Sequence, residues 1–253
     1  MKELYKRPAF IKDEPFTYCP GCSHGIVHRL LCEVIDELGI RESTIGICSI
    51  GCSVRIWNFL DLDFIQATHG RAMAFATGAK RANPDKCVFT YQGDGDAMSI
   101  GAAETIHAIA RGEKITTLFV NNAYYGATGG QLAPTTLPGQ KTTTYPEGRT
   151  KEQIGNPIRT CELLSTLDSD GYIARVAVDT PTHIRQAKAA LKKAFEVQLS
   201  GEGFGDVEFL CACPSNLKLA NPVEAWKWIG ANSQQYFPLG EFKLTERMKE
   251  ARK

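Results

Sequence analysis

Apolar residues recur three and four positions apart in several stretches of this chain of 253 residues. This spacing places them on one face of a helix, so each stretch predicts a helix with one buried side. The first predicted helix covers residues 25–38 and ends at Gly39, a typical helix terminator. Further helices are predicted over residues 72–82, 99–111, 158–167, 182–199 and 222–229.

Short runs of β-branched and aromatic residues lie between the predicted helices. They cover residues 43–50, 86–92, 114–121, 172–178 and 206–213. Strands that alternate with helices are typical of a parallel sheet that is covered on both faces. The sequence therefore predicts an α/β fold. Because no linker or internal repeat interrupts the alternation, we expect one domain over residues 1–253.

Two segments depart from this alternation. Residues 123–156 contain six glycines and three prolines, and a loop of this length inside a compact domain is usually functional. We therefore expect residues 123–156 to cover a bound cofactor. Residues 220–253 are expected to form a C-terminal extension in which one helix is followed by a charged tail.

Charge and hydropathy narrow the classes of function. The chain has 29 Lys and Arg against 28 Asp and Glu, with no basic block, so a nucleic-acid partner is not expected. No apolar run approaches the roughly 18 residues of a membrane span, and the N-terminal arm carries charges and prolines instead of a signal-peptide core. We expect a cytoplasmic protein without a membrane partner.

Polar residues follow two consecutive predicted strands. Gly93, Asp94, Gly95 and Asp96 come directly after residues 86–92, and Asn122 ends the next strand. Ligands bind at the carboxyl ends of parallel strands, where glycines let the backbone approach a phosphate. A carboxylate and an amide oxygen suit Mg²⁺. The alternatives are two ordinary turns, or a dinucleotide site, which would require Gly-x-Gly-x-x-Gly after the first strand.

Cysteine is abundant for a protein of a reducing compartment, which favours metal or cluster ligands over disulfides. Cys19 and Cys22 form a Cys-x-x-Cys pair, which alone fits a redox pair, zinc or an iron-sulfur site. Two single cysteines near strand ends, Cys52 and Cys213, would complete four thiolates and favour an iron-sulfur cluster over zinc. The competing candidates are Cys48 and Cys211, whereas buried packing roles are expected for Cys32, Cys87 and Cys161.

Taken in order, these motifs resemble the β subunit of the 2-oxoacid:ferredoxin oxidoreductases. They are Cys-Pro-Gly-Cys at 19–22, Gly-Cys-Ser at 51–53, His-Gly-Arg at 69–71, Gly-Asp-Gly-Asp at 93–96, Asn-Asn at 121–122 and Cys-Pro at 213–214. The likeness covers nearly the whole chain. Residues 89–92, 125–131 and 133–144 look most like the branched-chain, 2-oxoisovalerate group.

The resemblance implies a subunit that binds thiamine diphosphate with Mg²⁺ and one [4Fe-4S] cluster. It assigns Mg²⁺ to the side chains of Asp94 and Asn122 and the carbonyl of Tyr124. It assigns the cluster to Cys19, Cys22, Cys52 and Cys213. The residues it places around thiamine diphosphate are His69, Gly70, Gly93, Asp94, Gly95, Asp96, Asn122 and Thr128.

The activity implied is oxidative decarboxylation of a 2-oxoacid to acyl-coenzyme A and CO₂, with ferredoxin as electron acceptor. The resemblance also implies that a partner α subunit supplies the glutamate that activates the cofactor. A bacterial ferredoxin cysteine run is absent from the sequence, so γ and δ subunits with further clusters are expected. The alternatives from other classes are a non-redox thiamine diphosphate lyase and an iron-sulfur or zinc scaffold.

The substrate is expected to be a 2-oxoisovalerate-like acid. A threonine-rich loop and the apolar Val54, Ile56 and Trp57 favour a branched or aromatic side chain. Arg55 is a possible substrate contact that would favour 2-oxoglutarate, because a guanidinium can pair with a second carboxylate. Pyruvate and an aryl glyoxylate are the further alternative substrates. Packing roles are expected for the remaining histidines, although His24 is close enough to Cys22 to influence a cluster. These are His24, His28, His107 and His183.

Overall fold

A computed structural model describes residues 6–219 and 221–252. Its strands are β1 (Thr44–Cys48), β2 (Asp63–Gln66), β3 (Cys87–Gly93), β4 (Thr116–Asn121), β5 (Tyr124–Tyr125), β6 (Gln131–Leu132), β7 (Gly171–Ala177), β8 (Phe204–Leu210) and β9 (Gly240–Lys243). Its α-helices are α1 (His24–Leu38), α2 (Ile56–Phe59), α3 (Ala72–Ala82), α4 (Asp94–Met98), α5 (Ala102–Ala110), α6 (Lys151–Ile154), α7 (Thr160–Ser165), α8 (Pro181–Leu199), α9 (Pro214–Leu217), α10 (Pro222–Trp228), α11 (Gln234–Tyr236) and α12 (Glu246–Glu250). Short 3₁₀ turns cover Arg41–Ser43 and Cys52–Arg55, and Ile229–Ser233 is π-helical.

Seven strands form one sheet in the order β2-β1-β3-β4-β8-β7-β9. All neighbouring pairs are parallel except β7 and β9, which are antiparallel. The five predicted strands correspond to β1, β3, β4, β7 and β8, with ends that differ by a few residues. The predicted α/β class is therefore confirmed, with one antiparallel edge strand added to an otherwise parallel sheet.

Helices cover both faces of the sheet, as predicted. On one face, α1 and α8 pack against β3 and β8 in the main core, where Leu31 and Phe195 are wholly buried. On the other face, α3 covers β1 and β3 through Ala76, while α5 and α7 cover β7 and β8 through Ile109 and Leu164. Because the strands are parallel, the loops that follow β1, β3, β4 and β8 meet at one edge.

Three predicted elements require correction. The helix predicted over residues 99–111 corresponds to α5, which begins at Ala102, and the separate helix α4 that precedes it was not predicted. A side chain at Gly101 would lie 1.9 Å from the Asp96 carbonyl oxygen, so the backbone folds too closely there for one continuous helix. Residues 123–156 contain the β5–β6 hairpin and α6, and residues 221–252 contain α10–α12 and β9 instead of one helix and a tail.

The described residues contain no helix that is both long and apolar enough to cross a membrane.

Candidate functional site

A cavity of about 300 Å³ lies at the carboxyl ends of β3 and β4. Nine residues that the family resemblance assigned to a cofactor or cluster line it: Cys52, His69, Gly93, Asp94, Gly95, Asp96, Asn122, Tyr124 and Thr128. The parallel register of β3 and β4 pairs Gly93 with Val120, so the loops that follow both strands start at the same level of the sheet. The topology thereby brings Asp94 and Asn122 together.

Asp94 lies at the start of α4 and is 2% exposed. One carboxylate oxygen accepts from the Asn122 N–H at 3.3 Å, and the other accepts from the Thr135 hydroxyl. Burial raises the pKa of Asp94 to about 7, although these hydrogen bonds act in the opposite direction. A buried carboxylate with this pKa gains stability from a nearby cation, which favours its ionised form.

The turn after β4 contains the other two residues predicted to supply oxygen ligands. Asn122 and Tyr124 are both buried, and the Asn122 side-chain oxygen accepts from the Tyr124 N–H at 3.2 Å. Between them, Ala123 adopts the left-handed conformation with φ +61°. This conformation is uncommon for a residue with a side chain, and it brings Asn122 and Tyr124 to the cavity wall.

Asp96 organises the opposite wall. Its buried carboxylate accepts hydrogen bonds from the Ser49 hydroxyl at 2.6 Å, the Gly70 N–H at 2.5 Å and the Gln92 amide at 2.7 Å. His69 Nδ1 lies 3.3 Å from the same carboxylate. Gly70 has φ +77°, and a side chain there would lie 2.8 Å from the Ile100 backbone. Asp96 therefore fixes the 69–70 loop next to the cavity.

The four predicted cluster cysteines gather beside the cavity. A side chain at Gly126 would lie 3.4 Å from Cys213 Sγ and 3.7 Å from Cys52 Sγ. Burial raises the pKa of Cys22 to about 12, and the neighbouring thiols of Cys213, Cys52 and Cys19 raise it further. In residues 6–219 and 221–252, no three His, Cys, Asp or Glu side chains are arranged to hold a single metal ion.

Polar side chains of α9 contact two of these thiols. The Ser215 hydroxyl lies 3.0 Å from Cys19 Sγ, and the Asn216 amide donates to Cys213 Sγ at 3.0 Å. The amide of Asn216 also donates to the Gly126 carbonyl at 3.3 Å. Helix α9 thus contacts a thiol of the N-terminal arm, the thiol of Cys213 and the backbone of the segment 123–156.

The competing and structural cysteines are buried. Cys32, Cys48, Cys87 and Cys211 belong to the main core, and Cys161 is on the buried face of α7. Burial raises the pKa of Cys48 to about 11, but it raises the pKa of Cys52 to about 11 as well, so the thiol pKa values do not separate the candidates. The position of Cys52 and Cys213 next to Gly126 at the cavity supports their choice, which stays a prediction.

His24 is nearer the cavity than its sequence context indicated. It lines the wall, its Nδ1 lies 2.6 Å from the Tyr91 hydroxyl, and its ring stacks on Tyr18. Burial lowers the pKa of His24 to about 3, so the imidazole is neutral near pH 7. Both ring nitrogens of the adjacent His28 lack a hydrogen-bond partner in the part of the chain described.

The other candidates lie further out. Arg55 is exposed, and its guanidinium donates to the Thr17 carbonyl at 2.9 Å. His107 is exposed, and His183 pairs with Asp179. Sequence reasoning missed the side chain of Thr135, which bonds to Asp94 from the loop 41 residues further along the chain. The threonine-rich composition of that loop was the available signal.

Comparison with known proteins identifies the family. Residues 49–204 match the family described as "Thiamine pyrophosphate enzyme, C-terminal TPP binding domain". The chain is 46% identical over 243 residues to the ketoisovalerate oxidoreductase subunit VorA of Methanothermobacter thermautotrophicus, and this alignment covers 96% of the chain and 51% of that relative. The chain therefore spans about half the length of this relative.

Two further relatives are matched over most of their own length. The chain is 37% identical to the 2-oxoglutarate synthase subunit KorB of Archaeoglobus fulgidus, over 86% of the chain and 77% of that protein. A solved structure is also similar, with a TM-score of 0.76 and 26% identity over 99% of the chain and 90% of the matched one. It is the 2-oxoglutarate:ferredoxin oxidoreductase from Magnetococcus marinus with 2-oxoglutarate, coenzyme A and succinyl-CoA bound. The present chain therefore belongs to the 2-oxoacid:ferredoxin oxidoreductases, as a β-type subunit that carries their thiamine diphosphate-binding domain.

Proposed function

We propose that this chain binds thiamine diphosphate, Mg²⁺ and one [4Fe-4S] cluster in a coenzyme A-dependent 2-oxoacid:ferredoxin oxidoreductase. The observation that carries the proposal is the convergence of two unrelated ligand sets on one cavity. Oxygen atoms of Asp94 and Asn122 line its wall, and the thiols of Cys52 and Cys213 both lie within 3.7 Å of the position that a side chain at Gly126 would take.

The oxygen ligands fit a magnesium diphosphate. Asp94 and Asn122, with the carbonyl of Tyr124, would hold Mg²⁺, which prefers one or two carboxylates and completes its shell with phosphate oxygens and water. The buried carboxylate of Asp94 carries no cationic hydrogen-bond partner in the described residues, and a bound ion would offset the cost of its burial. His69, Gly70, Gly93, Gly95, Asp96 and Thr128 would surround the diphosphate.

The thiols fit an iron-sulfur cluster. Cys19, Cys22, Cys52 and Cys213 would each bind one iron, and the donors on Ser215 and Asn216 would then bond to thiolate sulfur. Thiamine diphosphate supplies decarboxylation chemistry at a 2-oxo carbon, and an iron-sulfur cluster supplies one-electron transfer. The protein would hold both groups at one cavity, and the neutral His24 forms part of its wall.

The rim of the cavity supports a partner subunit. Ile50 and Ile100 line it yet are 42% and 52% exposed, so a partner α subunit that covers them would bury apolar surface and supply the missing glutamate. We include γ and δ subunits, ferredoxin as acceptor and a cytoplasmic location in the proposal. The relatives VorA and KorB are both named as subunits, which supports a multi-subunit assembly.

For the substrate we propose a 2-oxoisovalerate-like acid first. The ketoisovalerate oxidoreductase subunits share 46% and 44% identity with this chain, against 34–37% for the 2-oxoglutarate synthase subunits and 40% for a 2-oxoglutarate oxidoreductase subunit. The second candidate is 2-oxoglutarate, which these latter relatives and Arg55 favour. The exposed position of Arg55, turned toward Thr17, gives it no contact with the cavity in the described part of the chain.

The test uses the assembled complex with viologen as acceptor. We expect the highest kcat/KM with 2-oxoisovalerate when it is compared with 2-oxoglutarate, pyruvate and an aryl glyoxylate. We also expect visible absorbance that bleaches with dithionite, together with bound thiamine diphosphate. Thiamine without bleachable absorbance would indicate a non-redox lyase, and iron without thiamine a scaffold. Either result would overturn the proposed function.

A further inference from the structure

An ion pair is buried between β7 and β8, on the sheet face opposite α1 and α8. Glu208 and Arg175 are wholly buried, and Arg175 Nε donates to Glu208 Oε2 at 2.8 Å. The guanidinium also donates to Glu162 and to the Pro238 carbonyl. Buried ion pairs are weak contributors to stability, because desolvation offsets their attraction, but they can fix geometry.

The second carboxylate oxygen of Glu208 reaches the end of β4. Asn121 Nδ2 donates to Glu208 Oε1 at 2.7 Å, and Asn121 Oδ1 accepts from the Ala123 N–H at 3.2 Å. A carboxylate can only accept hydrogen bonds, so Glu208 determines which end of the Asn121 amide faces it. The oxygen of Asn121 must then point toward Ala123.

Asn121 contacts Ala123, the residue with an unusual backbone conformation between the predicted ligands Asn122 and Tyr124. Ala123 has φ +61°, a conformation that a residue with a side chain adopts only when its surroundings impose it. Asn121 caps the N–H of Ala123, and the Thr136 hydroxyl donates to its carbonyl at 2.7 Å. The conformation of Ala123 sets the directions of Asn122 and Tyr124.

We propose that Asn121, oriented by the buried Glu208–Arg175 pair, is a positioning residue that holds Ala123 in its left-handed conformation and thereby aligns Asn122 and Tyr124 for Mg²⁺. The inference deepens the proposed function and rests on it. It assigns a role to the first asparagine of the Asn-Asn pair and to a charged network that touches neither thiamine diphosphate nor substrate.

The test measures Mg²⁺ binding by the assembled complex at saturating thiamine diphosphate, by calorimetry. Asn121→Ala should raise the Mg²⁺ dissociation constant about 10- to 100-fold, the usual effect of losing a group that orients a metal ligand. Adding Ala123→Gly should restore most of the affinity, because glycine adopts positive φ without a cap. Asn83→Ala, which removes an exposed asparagine at the end of α3, should bind Mg²⁺ normally.

Recovery of Mg²⁺ affinity on adding Ala123→Gly distinguishes a positioning role of Asn121 from a general effect on folding. Unchanged Mg²⁺ affinity in Asn121→Ala, or a loss that Ala123→Gly does not reverse, would overturn the inference. Glu208→Gln keeps the shape of the side chain and should also raise the Mg²⁺ dissociation constant. This variant tests the inference if Asn121→Ala folds poorly. If the parent complex bound no Mg²⁺ with thiamine diphosphate, the proposed function itself would fail.

Discussion

Replacing Asp94 by asparagine should stabilise the cofactor-free protein while abolishing its cofactor binding. Burial raises the pKa of Asp94 from its ordinary 3.8 to about 7, so in the folded state it holds its proton more tightly than in the unfolded state. The contribution of protonated Asp94 to the free energy of unfolding is fully present below about pH 4. It is lost as the pH rises to about 7. At roughly 1.4 kcal/mol per pKa unit, the loss is about 4 kcal/mol.

Asp94→Asn removes that loss because an amide does not ionise. The variant should therefore be more stable than the parent at pH 8 by up to about 4 kcal/mol. The gain is reduced because the amide nitrogen cannot accept from the Asn122 N–H as the carboxylate does. Thermal or urea unfolding of the cofactor-free chain between pH 5 and 8 measures the difference, which should grow with pH and level off above about pH 7.

Asp206 provides a matched control. It is another buried carboxyl whose pKa is raised by burial, to about 8, but it lies under α7 beside Glu208 and Arg175. Asp206→Asn should reproduce the pH-dependent stabilisation and keep thiamine diphosphate and Mg²⁺, which Asp94→Asn should lose. A stability difference for Asp94→Asn that does not change between pH 5 and 8, or normal cofactor content in that variant, would refute the reasoning.

Three further outcomes are expected of the assembled complex. Replacing any cluster cysteine (Cys19, Cys22, Cys52, Cys213) by alanine should bring bound iron toward zero, whereas Cys32→Ala should retain it; dependence on Cys48 or Cys211 instead would contradict the assignment. Arg55→Leu should leave kcat/KM for 2-oxoisovalerate within about twofold, and a selective ten- to hundredfold loss with 2-oxoglutarate would assign Arg55 a charge-assisted substrate contact. Asn216→Leu, which removes the N–H donor to Cys213 Sγ, should lower the reduction potential of the cluster in a dithionite titration, because hydrogen bonds to sulfur stabilise the reduced state.

The sequence predicts correctly those elements whose signal lies within one continuous stretch of residues. The strands β1, β3, β4, β7 and β8 are buried apolar runs, and α8 carries both a regular apolar face and a threonine cap at Thr180. It was insufficient where a neighbour decides the structure. β9 is short and polar and becomes a strand only by pairing with β7, and α4 is separated from α5 by the close approach of Gly101 to Asp96.

The same distinction holds for the site. Asp94, Asn122 and the cysteines could be selected because their residue types and spacing form motifs. Thr135 and Ser49, which bond to Asp94 and Asp96, carry no motif of their own. The threonine-rich composition points to the loop that contains Thr135 but not to that residue, because the contacts join segments far apart in sequence. The position of His24 on the cavity wall likewise depends on how α1 packs against β3.

The antiparallel strand β9 has a consequence for solubility. Without it, β7 would be the edge of the sheet, and all seven of its residues are buried. An edge strand with unpaired backbone groups and an apolar face is a template for association with other chains. At the other edge, β2 has four residues and carries the exposed Asp63 and Gln66. Removing the segment that contains β9 should therefore make this protein self-associate through β7, even where its cofactor site is left intact.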